Sequence, residues 1–322
     1  MSRPVVRVTR RLPRAVEVAL AARFDVRLNS DDHSMTQEEL HAALREADAL
    51  LCTVTDRIDA AVIGTPPIRC RLLANFGVGF NHVDLPAARA AGITVTNTPG
   101  VLTEATADLT IGLMLAVARR IGEGERLVRA GRWTGWNPTQ LMGQMVSGRT
   151  LGIIGFGRIG QAVARRASHG FGMRVLFATP NPPPAELAAA LGAAPCSLEA
   201  LLDESDFVSL HCPATPATRH LMNASRLRRM RPGAFLINTA RGDVVDEVAL
   251  VNALRESTLA GAALDVYEGE PAVPPALCTM ENVVLLPHLG SATEETRVAM
   301  GLRALANLAA FFGGGELPDR VA

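Results

Sequence analysis

The chain has 322 residues, which exceeds one doubly wound α/β unit of about 150 residues and indicates two domains. Its 32 Lys plus Arg residues balance 32 Asp plus Glu residues, which excludes a net positive charge that would attract nucleic acid or an anionic membrane. The composition is 48% hydrophobic and only 4% aromatic, which favours an aliphatic core between helices and sheets.

Five cysteines are scattered along the chain without CxxC spacing, so we expect no disulfide framework and no metal site. They are Cys52, Cys70, Cys196, Cys212 and Cys278. The N-terminal segment lacks the apolar core of a signal peptide, and the longest apolar helical stretch, around residues 109–118, is far shorter than a membrane span. We therefore expect a cytoplasmic protein without nucleic-acid or membrane partners.

In the first hundred residues, short β-branched runs alternate with helical patterns. The predicted strands are VVRVT, FDVRL, ADALLCTV, CRLLANFG and GITVTNT. This alternation predicts a parallel sheet with crossover helices. After Pro99-Gly100 the pattern changes to one long apolar helix over residues 103–120, which we expect to lead into the second domain.

A second α/β series begins at residue 150. Its six predicted strands lie in TLGIIGFG, MRVLFATP, DFVSLHCP, GAFLINTA, AGAALDV and VVLLPH, the number in a full dinucleotide-binding sheet. A final amphipathic helix is predicted to begin with a capping box of Ser291 and Glu294 and to return to the first domain. The predicted domains are therefore residues 1–99 plus 290–322, which bind substrate, and residues 100–289, which bind the dinucleotide.

The strongest motif is GFGRIG, which follows an apolar strand and precedes a helical run. Gly155 permits a tight turn, Gly157 lets the backbone approach a pyrophosphate, and Gly160 lets the helix pack closely on the strand. The helix N-terminus supplies amide hydrogens and a positive dipole end, and Arg158 adds a positive charge beside the turn. The motif in this setting predicts dinucleotide binding.

The end of the next strand bears on cofactor choice. NAD-binding sheets carry Asp or Glu there to bind the ribose hydroxyls, whereas this chain has Thr179. Without a carboxylate a 2′-phosphate is not repelled, but the segment ATPNPPP offers no Arg or Lys to bind it. The sequence favours NADP, with NAD as the open alternative.

Three residues at successive strand ends suit the reduction of a 2-oxo acid. Arg241 follows the strand AFLI and can pair bidentately with a carboxylate. Glu270 follows the strand AALDV, and His288 ends the strand VVLLP. A carboxylate bonded to one imidazole nitrogen fixes the tautomer and keeps a proton on the other nitrogen, as a general acid requires.

Each of these residues also has a structural interpretation. Arg241 could form a salt bridge, Glu270 could be a turn carboxylate and His288 a hydrogen-bonded core histidine. Taken singly, the structural interpretation is the more common one for such residues. Their joint occurrence at strand ends of a dinucleotide-binding domain favours a catalytic set.

The motifs together resemble the D-isomer-specific 2-hydroxyacid dehydrogenase family over essentially the whole chain. The matching segments are ANFGVGFNHVD, GFGRIG, LHCP, NTARGDVVDE, LDVYEGEP and PHLGSAT. The segment of residues 131–138 and the short chain most resemble the glyoxylate/hydroxypyruvate reductases of this family. The resemblance implies a flavodoxin-like substrate domain and a Rossmann cofactor domain, both doubly wound parallel sheets, with a cleft between them.

It also implies roles for individual residues. Arg241 would bind and polarise the substrate, Glu270 would hold the imidazole of His288, and His288 would donate the proton. The backbone of Val78 and Gly79 would bind the substrate carboxylate, and Asp265 would contact the nicotinamide carboxamide. The remaining implied cofactor contacts are Gly155, Gly157, Arg158, Ile159, Gly160, Thr179, Pro180, Asn181, Cys212, Pro213, Thr239, Ala240 and Gly290.

The implied reaction is reduction of glyoxylate or hydroxypyruvate to the D-2-hydroxy acid by a homodimer. Trp133 and Trp136 lie in a segment that, in such enzymes, is at the dimer contact and can approach the partner's active site; anchoring an interface loop is the equal alternative. D-3-phosphoglycerate dehydrogenase or another D-2-hydroxyacid dehydrogenase remains an enzymatic alternative. An NADH-sensing module resembling the corepressors of this fold is the non-enzymatic one.

Overall fold

Two parallel sheets organise the chain, whose structure is a computed structural model that describes residues 3–64 and 67–322. The chain divides into one unit of Met1–Leu102 with Ala292–Ala322 and a second unit of Thr103–Ser291. Each unit contains one of the sheets, with helices in the crossovers between its strands. The predicted class, two doubly wound α/β units, is confirmed.

The first unit has a five-stranded sheet in the order β2-β1-β3-β4-β5, the flavodoxin-like order. Its central strands β3 and β4 are buried throughout, because helices cover both faces of a doubly wound sheet. The strands are β1 Val5–Val8, β2 Asp25–Arg27, β3 Ala49–Cys52, β4 Leu72–Asn75 and β5 Thr94–Thr96. The helices between them are α1 Arg14–Ala21, α2 Gln37–Glu46, α3 Ala60–Ile63 and α4 Leu85–Ala90.

The second unit has a seven-stranded sheet in the order β12-β11-β10-β9-β6-β7-β8, which contains the Rossmann order with one added edge strand. The strands are β6 Thr150–Ile154, β7 Arg174–Ala178, β8 Ala193–Pro195, β9 Phe207–Leu210, β10 Phe235–Asn238, β11 Gly261–Leu264 and β12 Val283–Leu285. The helices are α5 Thr103–Ala118, α6 Ile121–Arg129, α7 Arg158–Arg165, α8 Ala185–Ala190, α9 Leu198–Glu204, α10 Ala224–Arg229, α11 Glu247–Arg255 and α12 Pro275–Cys278.

The prediction of six strands in this sheet was wrong, because it omitted β8. This strand has the sequence AAP, which contains no β-branched residue, and it pairs only with β7 at the sheet edge. Its backbone hydrogen bonds to β7, rather than its composition, make it a strand. The long helix predicted over residues 103–120 instead ends at Ala118, and Arg120, with a left-handed φ of 52°, precedes α6. No helix in the described ranges is long and apolar enough to span a bilayer.

The last helix, α13 Glu294–Gly313, belongs to the first unit and packs on α1 and β4. The predicted capping box is wrong, because Thr293 caps the helix and accepts a hydrogen bond from the amide of Thr296. The apolar repeat of this helix, Val298, Leu302, Leu305, Ala309 and Phe312, predicts its buried face, but Leu302 is 44% exposed, and Leu308, outside the repeat, is fully buried. The chain end then pairs with the sheet, where the amide of Val321 donates to the carbonyl of Val95.

We expect Leu308→Ala to lower the free energy of unfolding by about 2–5 kcal/mol, because it leaves a cavity between α13 and its neighbours. Leu302→Ala, on the same helix, should cost under about 1 kcal/mol because its side chain is partly in water. Urea unfolding of both variants measures the difference. Equal losses would contradict this packing of α13.

Candidate active site

The GFGRIG turn connects β6 to α7 at the carboxyl end of β6. Gly155 has a φ of 91°, and a Cβ there would lie 2.6 Å from the amide nitrogen of Cys212, so only glycine fits without strain. A Cβ at Gly160 would lie 2.4 Å from the carbonyl oxygen of Gly155. At Gly157, by contrast, a Cβ would meet no atom within 4 Å. Two glycines therefore allow close packing, and the third leaves the backbone open to a bound group.

Other predicted cofactor residues lie around this turn. The amide of Gly155 donates to the carbonyl of Ala178 at 2.9 Å, which places the end of β7, and Thr179 after it, beside the turn. Pro180 and Asn181 are exposed. Cys212 and Pro213 follow β9, and burial raises the pKa of the Cys212 thiol to about 11. This thiol is protonated at neutral pH.

Thr239 and Ala240 follow β10. The hydroxyl of Thr239 hydrogen-bonds that of Thr110 on α5 at 3.0 Å, and the amide of Ala240 donates to the side chain of Asn238 at 3.0 Å. The side chain of Asn238 also donates to the carbonyl of Arg241 at 2.9 Å. These bonds fix the turn from which the Arg241 side chain emerges.

Three predicted catalytic residues follow β10, β11 and β12, which are adjacent in the sheet. Nδ1 of His288 lies 2.8 Å from Oε2 of Glu270, and both side chains are about 30% exposed, at 29% and 31%. The other carboxylate oxygen of Glu270 accepts the amide of Tyr267 at 3.0 Å. The imidazole therefore keeps Nε2 for another partner, as the predicted acid role requires.

Burial acts to raise the pKa of Glu270, but the hydrogen bond and charge of His288 act against it. The Tyr267 amide and the charge of Arg241 also lower it, so the pKa of Glu270 lies below its ordinary value. The carboxylate therefore stays ionised at a lower pH than an ordinary Glu. The stabilisation that ionised Glu270 contributes is present above its unfolded pKa and is lost as the pH falls through the lowered folded pKa.

Arg241 is a half-buried cation on this edge. Burial lowers the pKa of its guanidinium, and the negative charges of Glu270 and Asp243 partly offset that effect. Arginine nevertheless stays charged at any physiological pH. The site therefore combines a desolvated guanidinium with an imidazole–carboxylate pair, which suits binding a small carboxylate and moving one proton.

The carboxylate of Asp265 organises the turn after β12. Its Oδ1 accepts the amide of Leu289 at 2.6 Å and its Oδ2 that of Gly290 at 2.7 Å, while its carbonyl accepts the amide of His288. Burial raises the pKa of Asp265, and the two amides act against that rise. His288 itself has a left-handed φ of 57°, which these bonds maintain.

Comparison with known proteins shows the family of this chain. Residues 111–290 match the family described as D-isomer specific 2-hydroxyacid dehydrogenase, NAD binding domain. The chain is 46% identical over 320 residues to the glyoxylate reductase of Thermococcus onnurineus, covering 98% of this chain and 95% of that one. The chain belongs to the D-isomer specific 2-hydroxyacid dehydrogenase family. It is an NAD(P)-dependent dehydrogenase.

Solved structures of this dehydrogenase family have the same fold. The TT0316 protein from Thermus thermophilus matches with a TM-score of 0.91 and 47% identity, over 99% of this chain and 100% of that one. The NADPH-dependent glyoxylate/hydroxypyruvate reductase from Sinorhizobium meliloti, solved with NADP and malonate, matches with a TM-score of 0.86 and 37% identity. That match covers 100% of this chain and 97% of the other.

In the first unit of the dehydrogenase, the loop after β4 is fixed by asparagine side chains. Asn75 donates to the carbonyls of Gly77 and Gly79 at 3.0 and 2.9 Å, and Asn97 donates to that of Val78 at 2.9 Å. These bonds direct the three carbonyl oxygens toward the asparagine side chains. No acceptor within the described residues pairs with the amides of Val78 and Gly79, an arrangement that suits binding of an anion.

Two residues that support the candidate site from behind were not predicted from the sequence. The hydroxyl of Thr106 on α5 donates to the carbonyl of Gly290 at 2.9 Å, and that of Thr110 reaches Thr239. Both threonines are buried. Polar residues spaced i, i+4 on an otherwise apolar helix were the available signal, since such a pair shares one face.

The glycine geometry predicts a loss of cofactor binding at Gly157 and a loss of stability at Gly155. Gly157→Ala should leave stability unchanged, because its Cβ meets nothing, but should weaken NADPH binding about tenfold or more by blocking the approach of a pyrophosphate. Gly155→Ala should lower the free energy of unfolding by about 2 kcal/mol or more. Thermal unfolding and NADPH fluorescence titration measure these effects. Unchanged binding by Gly157→Ala would exclude this turn as the pyrophosphate site.

Proposed function

We propose that the protein reduces glyoxylate or hydroxypyruvate to the D-2-hydroxy acid with NAD(P)H. The observation that carries the proposal is the 2.8 Å bond between His288 and Glu270 on the sheet edge that also carries Arg241. The names of the similar enzymes from Thermococcus onnurineus and Sinorhizobium meliloti support the substrate class. In this proposal the Thr103–Ser291 unit binds the dinucleotide, and the other unit contributes to substrate binding.

Each catalytic residue has one task in the proposed reaction. A bound nicotinamide supplies the hydride that reduces the 2-oxo carbon. Arg241 pairs with the substrate carboxylate and draws electron density from the carbonyl. Glu270 holds Nδ1 of His288, so Nε2 delivers the proton to the developing alkoxide. The loop amides of Val78 and Gly79 provide further donors to the carboxylate.

The residues present fit a dinucleotide. Gly155 and Gly160 bring α7 and the strands close together, and the open side of Gly157 admits a pyrophosphate at the N-terminus of α7. We assign the cofactor contacts to the residues of this turn and the neighbouring strand ends. They are Gly155, Gly157, Arg158, Ile159, Gly160, Thr179, Pro180, Asn181, Cys212, Pro213, Thr239, Ala240, Asp265 and Gly290.

NADP is the proposed cofactor in preference to NAD. Thr179 stands where a carboxylate would repel a 2′-phosphate, and its hydroxyl and the exposed Asn181 can donate to phosphate oxygens. The similar Sinorhizobium meliloti enzyme is NADPH-dependent by its printed name. The absence of a cation after β7 predicts a moderate preference rather than exclusion of NAD.

The deciding experiment is steady-state oxidation of NADPH and of NADH with glyoxylate, hydroxypyruvate and phosphohydroxypyruvate. Turnover with the first two supports the proposal, and the ratio between cofactors tests the assignment at Thr179. Turnover with phosphohydroxypyruvate alone would favour D-3-phosphoglycerate dehydrogenase. NADH binding without turnover of any 2-oxo acid would favour the NADH-sensing module.

His288→Asn should lower kcat at least about 100-fold, because it removes the general acid. NADPH affinity should stay nearly unchanged, because the asparagine leaves the glycine turn intact. Stopped-flow turnover and fluorescence titration measure the two quantities. Turnover at the wild-type rate would remove His288 from the proton-donor role.

We also propose a homodimer formed through α6 and the segment after it. No residue of α6 is buried, and apolar side chains line this part of the unit. The exposed ones are Ile121, Val128, Trp133, Trp136, Met142 and Met145, with Trp136 81% exposed. Several exposed apolar side chains within one segment favour association, and a second copy is the partner always present.

Trp136→Glu should raise the dimer dissociation constant at least about tenfold, since buried tryptophans are frequent interface hot spots. Val18→Glu, at a residue 62% exposed on α1, is the control and should leave assembly unchanged. Analytical ultracentrifugation over a concentration series measures both. A monomeric wild-type protein would refute the proposed interface.

All five cysteines are free thiols. Free thiols persist in reducing compartments, and three of these, Cys52, Cys70 and Cys212, are buried. We therefore assign the protein to the cytoplasm.

A further inference from the structure

The segments that carry Arg241 and Glu270 touch each other behind the catalytic side chains. Gly242, next to Arg241, lies against the backbone that follows β11: a Cβ there would be 1.8 Å from the carbonyl carbon of Tyr267 and 2.1 Å from the nitrogen of Glu268. No side chain can occupy that space. The two backbones are therefore in direct contact two residues before Glu270.

One side chain joins these segments. Glu247, the first residue of α11, accepts the backbone amide of Glu268 through Oε1 at 2.9 Å. Burial raises the pKa of Glu247 and the negative charges of Glu268 and Asp243 raise it further, whereas the amide lowers it. The Glu247 carboxyl group therefore lies near other acidic side chains. Its hydrogen bond to the Glu268 amide is the interaction that stabilises this position.

The contact with Glu268 continues to the catalytic pair. Tyr267, the preceding residue, donates its amide to Glu270 at 3.0 Å, and its hydroxyl donates to the carbonyl of Leu286 at 2.9 Å, two residues before His288. The other oxygen of Glu270 binds His288. A shift at the Tyr267–Glu268 peptide would therefore move the Glu270 carboxylate relative to the imidazole.

We propose that Glu247 is a positioning residue, and this proposal rests on the proposed function above. By accepting the amide of Glu268, Glu247 keeps the Glu270 carboxylate directed at His288. The same bond keeps the Tyr267–Glu268 peptide in contact with the Arg241 segment. Glu247 acts through these residues and does not touch the reacting atoms. Its carboxylate oxygen is needed as an acceptor at a fixed reach, and its charge is not needed. The contact therefore predicts opposite outcomes for two conservative variants.

Glu247→Gln keeps an acceptor oxygen at the same reach and should retain kcat. Glu247→Asp keeps the charge but withdraws the acceptor by one methylene, so kcat should fall about tenfold, the loss expected when a partly buried amide loses its partner. NADPH affinity should change less than kcat in both, because the pyrophosphate turn follows β6, which β9 separates from β10 in the sheet. Steady-state kinetics measures kcat, and fluorescence titration measures NADPH affinity. The reverse ranking, with Asp active and Gln impaired, would overturn the proposal.

Glu268→Gln is the matched control. Its side chain pairs with Arg219 at 2.8 Å and His220 at 3.0 Å, while its backbone amide makes the contact with Glu247. This variant removes the side-chain pairs and leaves the amide in place, so kcat should remain close to that of the wild type. A loss equal to that of Glu247→Asp would assign the effect to the surface ion pairs and overturn the proposal.

A double-mutant cycle tests whether Glu247 acts through Glu270. In the Glu270→Gln background, Glu247→Asp should cost little further activity, because the group that it positions is already altered. Fully additive losses would overturn the proposal.

Amide hydrogen exchange of the 266–271 peptide provides a readout without turnover. Exchange should rise in Glu247→Asp and stay at the wild-type level in Glu247→Gln, and unchanged exchange in both would overturn the proposal. The two proposals can fail separately. If the wild-type protein reduces none of the 2-oxo acids but the two variants differ in exchange as described, the proposed function is wrong while the contact of Glu247 with Glu268 is supported.

Discussion

The carboxylate of Asp265 holds the turn that presents His288, and the geometry of the site depends on it. A left-handed backbone at a residue with a Cβ costs about 1–2 kcal/mol. Two hydrogen bonds from amides to a buried carboxylate, each about 1.5–3 kcal/mol, exceed that cost. The strained conformation of His288 is therefore the stable one, and it places Nδ1 against Glu270.

Strand register brings the proposed catalytic groups together. Asn238 of β10 is level with Leu264 of β11, which is level with Leu285 of β12. Arg241 and His288 each lie three residues beyond these positions, so both leave the sheet at the same edge. Parallel strands with equal register make residues distant in sequence neighbours at the carboxyl edge.

Close contacts between loops hold in place the residues that the sheet brings together. Gly242 allows the backbones of two loops to touch, and the buried hydroxyls of Thr106 and Thr110 tie α5 to the turns after β12 and β10. The Thr106 hydroxyl bonds a backbone carbonyl, the Thr110 hydroxyl bonds that of Thr239, and Gly242 permits direct contact between two backbones. These contacts lie behind the side chains that would meet substrate.

The amino-acid pattern alone was enough to predict the alternation of strands and helices, the glycine turn, and Arg241, Glu270 and His288 as candidate site residues, because period, glycine spacing and strand-end position are local properties. It did not reveal β8, which has no strand-forming residues, or the cap at Thr293, which depends on where the backbone turns. Nor did it reveal the roles of Glu247, Thr106 and the carboxylate of Asp265 as supports. The roles of Glu247, Thr106 and Asp265 depend on the folded chain, because each side chain bonds a backbone group that is more than 20 residues away in the sequence. No local sequence pattern specifies such a partner.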